Sequence, residues 1–454
     1  MLYFAAKGRD KNDLAKAVLI LASGVFFFLY GAESFLMLLA VSVFNLLYSR
    51  VLLKNRKPLL LWIGIVVNVL PLLAFKYLNF FAENIVRLAG GQFTAIDILQ
   101  PVAISYYTFQ MITWTVDSYR GETKDVGVLD FLAYVWFFPR MILGPITRHE
   151  EFVPQLNDRE RFRPDPENIA TGFVWFTVGM SKKLLLASRF GAASGYGFMT
   201  LGGMSLLEGW LCSVAYTFQI YLDFSGYCDM AAGVAKMFNI DIPMNFNSPY
   251  KADSISDFWK RWHISLTTFL RRYIYFPLGG NRKGKVRTYI NMMAIFVISG
   301  FWHGANWTYI FWGGLHGLCM VFEKMFKKEL EKIPTLIRWI VTAPVIALLW
   351  VFFRCETIGE AFEYIRKMFS FNSILPSPVF CASLDFNDVP FIQQHLNIAM
   401  PLFVAAVYAG CVFIPNISRR KYKANTFNLI VTIVLFALSF ICISDVTPFI
   451  YFKF

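Results

Sequence analysis

A multi-pass, all-α membrane protein is the fold class this sequence predicts, and three observations predict it. Of its 454 residues 57% are hydrophobic and 16% charged, against roughly half and a quarter in soluble domains. Apolar runs recur along the chain, several near the length of about 20 residues that a helical span requires. The basic residues collect between those runs, as in Arg50–Lys57, Lys324–Lys332 and Arg419–Lys421. Only helices or closed barrels satisfy the backbone in lipid, and unbroken apolar runs favour helices. The length accommodates about ten to twelve of them.

Taken in order, residues 1–13 are polar and basic and lead into an apolar run at 14–30. No small-residue cleavage site stands out there, so a retained membrane segment is expected in place of a signal peptide. Further spans or near-spans are expected at 33–49, 58–80, 98–116, 128–146, 168–187, 205–222, 287–304, 307–326, 334–353, 397–415 and 425–443. Residues 147–167 are polar and carry three prolines, which predicts a loop. Asn, Pro and Ser in 239–257 mark irregular backbone ahead of a helix start, and 370–395 read as a second long polar connection. No internal repeat is visible, which weighs against the paired-repeat design of many transporters.

A net charge of +13 would suggest nucleic acid in a soluble protein. In a membrane protein the plainer source is basic cytoplasmic loops, and no nucleic-acid partner is expected. Seven scattered cysteines form no C-x-x-C pair and predict neither a disulfide framework nor a zinc site.

The stretch from Ser256 to Gly317 concentrates the chemistry. Ser254 or Ser256 can cap a helix with Asp257 in its first turn, ending at Pro277. Wound at 100° per residue, Phe258, Trp259, Trp262, Leu266, Phe269, Leu270 and Tyr273 fall on one arc. Asp257, Lys260, Arg261, Arg271 and Arg272 fall on the other side. At about 2.5–3.5 kcal/mol per charge near the bilayer centre, such a helix lies at the interface or lines an aqueous cavity. Asp257 and Arg261 are spaced to pair. His263 sits at the seam of the two faces, suited to proton transfer or equally to interfacial snorkelling without chemistry.

The run Gly279–Val286 nearly spells the phosphate-binding loop G-x-x-x-x-G-K-[ST]. It ends in Val286, which cannot ligate magnesium, and follows no strand, so nucleotide hydrolysis is excluded. Arg282, Lys283, Lys285 and Arg287 can still attract phosphates, of lipid headgroups or of a phosphorylated cofactor.

His303 is placed inside or at the end of an apolar helix, where Gly300 and Gly304 let a second helix approach closely. An ionisable group at membrane depth is by default functional, and a neutral imidazole there can take a proton from an alcohol. His316 lies among glycines, which suggests packing; His149 and His395 fall in polar loops without a signal. No H-E-x-x-H and no G-x-S-x-G is present, so no metal is expected. Asp223, Ser225 and Asp229 are placed at a helix junction, where capping competes with catalysis.

Four blocks of these residues strongly resemble the membrane-bound O-acyltransferase family, in its branch of bacterial alginate and peptidoglycan O-acetyltransferases. They are Tyr221–Met230, Phe258–Leu266, Leu278–Arg282 and Trp302–Asn306, supported by Val116–Gly121, Leu349–Arg354 and Thr447–Phe454. The similarity covers nearly the whole chain as one domain, 1–454, with its core at 216–320. The family usually has another apolar segment before the point matching residue 1, whereas this chain opens on Met-Leu-Tyr-Phe.

The resemblance implies a helical funnel joining a cytoplasmic donor to an acceptor on the far side of the bacterial inner membrane. The active histidine carries over to His303 and the second histidine to His263. Trp259, Lys260, Arg261, Trp262, Trp302 and Asn306 would line the donor tunnel, with Asp223, Ser225, Asp229 and His316 in support. Acetyl-coenzyme A would be the donor substrate, with no bound cofactor. The acceptor would be an envelope polysaccharide or a periplasmic esterase- or transferase-like protein that relays acetyl to it. The reading requires the His303 ring to lie in a water-lined passage within reach of a thioester. D-alanyl transfer to teichoic acid on the same fold is the near rival, and a transporter or flippase the distant one.

Overall fold

The computed structural model describes residues 2–8, 11–199, 204–371, 374–377, 379–380, 383, 396–419 and 425–445. Among the described residues every regular element is helical. Five helices are long and apolar enough to cross a bilayer: Ala32–Lys54, Pro58–Leu88, Pro166–Met199, Thr335–Arg354 and Leu402–Arg419. The expected segments at 33–49, 58–80, 168–187, 334–353 and 397–415 fall within or largely within them. Further helices at Asn12–Phe28, Gly284–His303, Trp307–Met325 and Thr426–Ile441 occupy four more of the expected positions.

The chain forms two compact units, one of Met1–Phe176 with Met230–Met244, the other of Thr177–Asp229 with Asn245–Phe454. In the first, three helices are tied by buried amides, where apolar packing against lipid gives little drive. Asn45 Nδ2 donates to Asn68 Oδ1 at 2.7 Å, Asn68 returns the bond at 2.9 Å, and Thr115 Oγ1 donates to Asn45 Oδ1 at 3.1 Å.

Three expectations need correction in this unit. Residues 128–146 are not one span but two short helices, Val128–Val135 and Phe138–Met141. Pro139 cannot donate to a continuing helix. Exposed backbone polar groups are tolerated at membrane depth only inside protein. Here the buried Arg140 guanidinium and Gln110 donate to the Tyr134 carbonyl, Tyr106 to that of Pro145 and Tyr134 to that of Thr147. The loop expected at 147–167 contains a helix, His149–Asn157, because Phe152, Val153 and Leu156 share a buried face and Phe152 packs on Phe137. His149 is buried with it, Nε2 against the Glu122 carbonyl at 3.0 Å and Nδ1 3.5 Å from Asp117. It is an anchor and not a solvated loop residue.

In the second unit the span expected at 205–222 runs on to Met237, so Asp223, Ser225 and Asp229 lie inside one helix, Leu206–Met237, and not at a junction. Gly226 does not break this helix; a side chain there would strike the Gly179 carbonyl at 2.6 Å. That close approach brings Lys182 Nζ to 2.6 Å from Asp229 and Lys183 Nζ to 2.6 Å from Asp223. Both lysines sit on a π-helical turn, Lys182–Ala187, a feature that often marks functional sites. Most of 370–395, His395 and Thr447–Phe454 lie outside the described residues.

Candidate active site

The helix expected from Ser254 to Pro277 begins as predicted, with Ser254 Oγ accepting from the Asp257 amide at 3.1 Å and Arg261 Nε donating to Asp257 at 2.7 Å. It does not continue. The α-helix stops at Arg261, His263 takes a left-handed conformation (φ +45°), and a second helix, Ile264–Leu270, passes into a π-helical turn at Arg271–Tyr275. The break has a cause in the irregular strap before the helix. The Asn245 carbonyl accepts from Ile264 N–H at 3.0 Å and its side chain from Ser265 N–H at 3.1 Å, taking both donors from the helical ladder. The apolar arc survives: Phe258, Trp259, Trp262, Leu266, Phe269 and Leu270 are all buried.

The break turns His263 inward. Its ring is 4% exposed, edge-on to Phe224 at 4.8 Å, and among the described residues its Nδ1 has no hydrogen-bond partner. Burial pushes this imidazole down to about 3 and holds it neutral.

His303 is the last residue of the Gly284–His303 helix. That helix and Trp307–Met325 form a hairpin in which Gly300 meets Gly313 and the Tyr309 carbonyl, the close approach expected of its glycines. His303 and His316 both pack edge-on with Trp312, at ring-centroid distances of 5.3 and 4.8 Å. Trp302 is a ring neighbour of both His263, at 6.1 Å, and His303, at 4.9 Å. His316 is 1% exposed, and its Nδ1 accepts from Trp259 Nε1 at 3.1 Å, so the neutral ring carries its proton on Nε2.

A cavity of about 1110 Å³ opens beside this cluster. Trp259, Leu270, Met292 and Phe296 contribute apolar lining and Ser299 a hydroxyl. Lys260, Arg271, Lys324, Lys327 and Arg338 contribute its cations and Asp253, Asp257, Glu323 and Glu331 its carboxylates, with Arg338 paired to Asp253 and Lys327 to Glu331. Among the described residues no cluster of His, Cys, Asp or Glu could hold a metal ion.

Residues 50–358 match the family of membrane-bound O-acyltransferases. The chain belongs to that family. It is a multi-pass membrane enzyme and an acyltransferase. A peptidoglycan O-acetyltransferase of Helicobacter pylori is 34% identical over the whole chain and 94% of its own length. A probable alginate O-acetylase of Pseudomonas aeruginosa is 37% identical over 82% of the chain and 72% of its own length. A teichoic acid D-alanyltransferase of Streptococcus thermophilus is 27% identical over 52% of the chain and 60% of its own length.

The O-acyltransferase structure sorts the residues singled out from sequence. Trp259 and Lys260 line the cavity. Arg261 is held by Asp257 and by the Asn247 carbonyl. Trp262 is 1% exposed, packed on Phe258, Phe246 and Trp350, and belongs to the core. Asn306 caps the Trp307–Met325 helix and donates to the Glu356 carbonyl at 2.8 Å. Asp223 and Asp229 are consumed by lysines, and Ser225 is buried 3.5 Å from Lys182.

His303 is 4% exposed, with Trp302, Trp312 and Phe353 among its ring neighbours. Ser299, four residues earlier on the same helix, is what reaches the cavity wall. Sequence reasoning missed Ser299 and Asn245. The i,i+4 spacing of Ser299 to His303 was a legible signal; the strap that carries Asn245 had none.

Proposed function

We propose that this enzyme transfers acetyl from acetyl-coenzyme A, taken at the cytoplasmic face of a bacterial inner membrane, for O-acetylation of a cell-envelope polysaccharide. Peptidoglycan is the favoured polymer and an alginate-like chain the next. The observation that carries this is the 34% identity along the entire chain to a peptidoglycan O-acetyltransferase. D-alanyl transfer is the weaker reading, since that relative is less similar and covers half the chain.

The cavity supports the donor assignment. Exposed Lys260, Arg271 and Lys324 suit phosphates, and the apolar lining suits an acyl-bearing arm. In the proposed step His303 takes the proton of the acceptor hydroxyl while its oxygen forms a bond to the thioester carbon. The C–S bond breaks, its electron pair leaves on sulfur, and the imidazolium returns the proton to give free thiol. The acceptor is a sugar hydroxyl or a periplasmic protein that relays the acetyl group. His263, held neutral, positions the groups around Trp302. Chemistry requires the aromatic wall of Trp259, Trp302 and Trp312 to part, which keeps water from the thioester until both substrates are bound.

The test is labelled-acetyl transfer by purified protein in liposomes, with mass analysis of envelope polymers. His303→Ala is expected to insert normally and to abolish acetyl ester formation. Undiminished acetylation in that variant, or D-alanyl esters in its place, would overturn the reading.

A further inference from the structure

We propose that Ser299 is a substrate-binding residue, its hydroxyl donating a hydrogen bond to the carbonyl oxygen of the donor thioester; this rests on the donor occupying the cavity described above. Other buried helical serines in this chain satisfy their hydroxyls locally as well as through neighbours. Ser23, Ser42, Ser181 and Ser439 each donate to the carbonyl four residues back, at 2.6–2.9 Å. That local bond is always within reach of a helical serine. Ser299 is helical and 1% exposed, and its Oγ has no partner among the described residues.

A buried hydroxyl without a partner is costly, and native structures keep few of them. Ser299 belongs to the lining of the cavity, together with the apolar Phe296, Met292, Leu270 and Trp259. An occupant that brings a hydrogen-bond acceptor completes the site. The position also suits the chemistry. Four residues of helix separate Ser299 from His303, a rise of about 6 Å on the same face. A carbonyl oxygen held by Ser299 would therefore bring its carbon towards the imidazole. The donor hydrogen bond strengthens as negative charge develops on that oxygen.

The experiment compares wild type with Ser299→Ala, using acetyl-coenzyme A and its thioether analogue S-ethyl-coenzyme A, which has no carbonyl oxygen. Transfer by Ser299→Ala is expected to fall by about 10- to 100-fold in kcat/KM. Equilibrium binding of acetyl-coenzyme A should weaken while that of S-ethyl-coenzyme A stays unchanged. The thermal midpoint should hold or rise, because the hydroxyl makes no bond within the protein. A wild-type rate in Ser299→Ala overturns the proposal. So does an equal loss of binding for both ligands with a lowered midpoint, which marks a packing role. Failure of the wild type to bind either ligand would overturn the cavity reading itself, and the assignment of Ser299 with it.

Discussion

The pairing of Lys182 with Asp229 gives the sharpest test of how the second unit is held together. At 2.6 Å, with side chains 16% and 10% exposed, the gross attraction is about 6 kcal/mol for an effective dielectric constant of about 20. Desolvation of both ions offsets most of that, so the intact pair contributes little net stability. Removing one partner is different, because it strands a buried charge at a cost of about 3–5 kcal/mol. Lys182→Met and Asp229→Leu are each expected to lower the thermal midpoint strongly in detergent. The double variant Lys182→Met/Asp229→Leu should recover most of the loss, giving a coupling energy of several kcal/mol in a double-mutant cycle. Additive losses in the double variant would refute the argument, since they would mean that the charges do not meet across the Gly179–Gly226 contact.

Three further outcomes follow from the same geometry. Gly313→Ala puts a methyl group against the Phe296 carbonyl and the Gly300 backbone; it should cost about 1–3 kcal/mol and displace His303 enough to suppress transfer. Gly314→Ala, with open space around it, should be neutral or stabilising by up to about 1 kcal/mol, and both are read by thermal melts and acetyl transfer. At position 263, where φ is +45°, His263→Ala should be less stable than His263→Gly by about 1 kcal/mol; the reverse order in thermal melts would contradict a left-handed hinge. Because burial lowers the His263 imidazole to about 3, the unfolded chain binds its proton first. Stability should thus be full above about pH 6.5 and decline as pH falls below it. His263→Gln should lose that part of the acid sensitivity when melts at pH 7 and pH 5 are compared.

Much of the fold was legible because lipid imposes a simple rule on sequence. Apolar length alone located the helices at 33–49, 58–80 and 334–353, and the small residues of the Gly300 block announced the close approach of another helix. The Ser254 cap and the Asp257–Arg261 pair were equally plain, since both are local and depend only on spacing. Helical periodicity also identified the buried arc from Phe258 to Leu270, although the helix carrying it is broken. The errors fell where partners distant in sequence decide the outcome. The break at His263 is made by Asn245, and Asp229 is paired by Lys182, 47 residues away. The folded segment at 128–146 survives because Arg140, Tyr106 and Tyr134 supply its backbone with partners.

By itself, then, the order of amino acids determined that this protein is helical and lives in a membrane, because hydrophobic length and capping are properties of neighbours along the chain. Only the tertiary structure decided which of its polar groups are consumed by partners and which are left facing a cavity. That choice depends on how closely helices approach, and backbone contacts such as Gly226 on Gly179 and Gly300 on Gly313 set those distances.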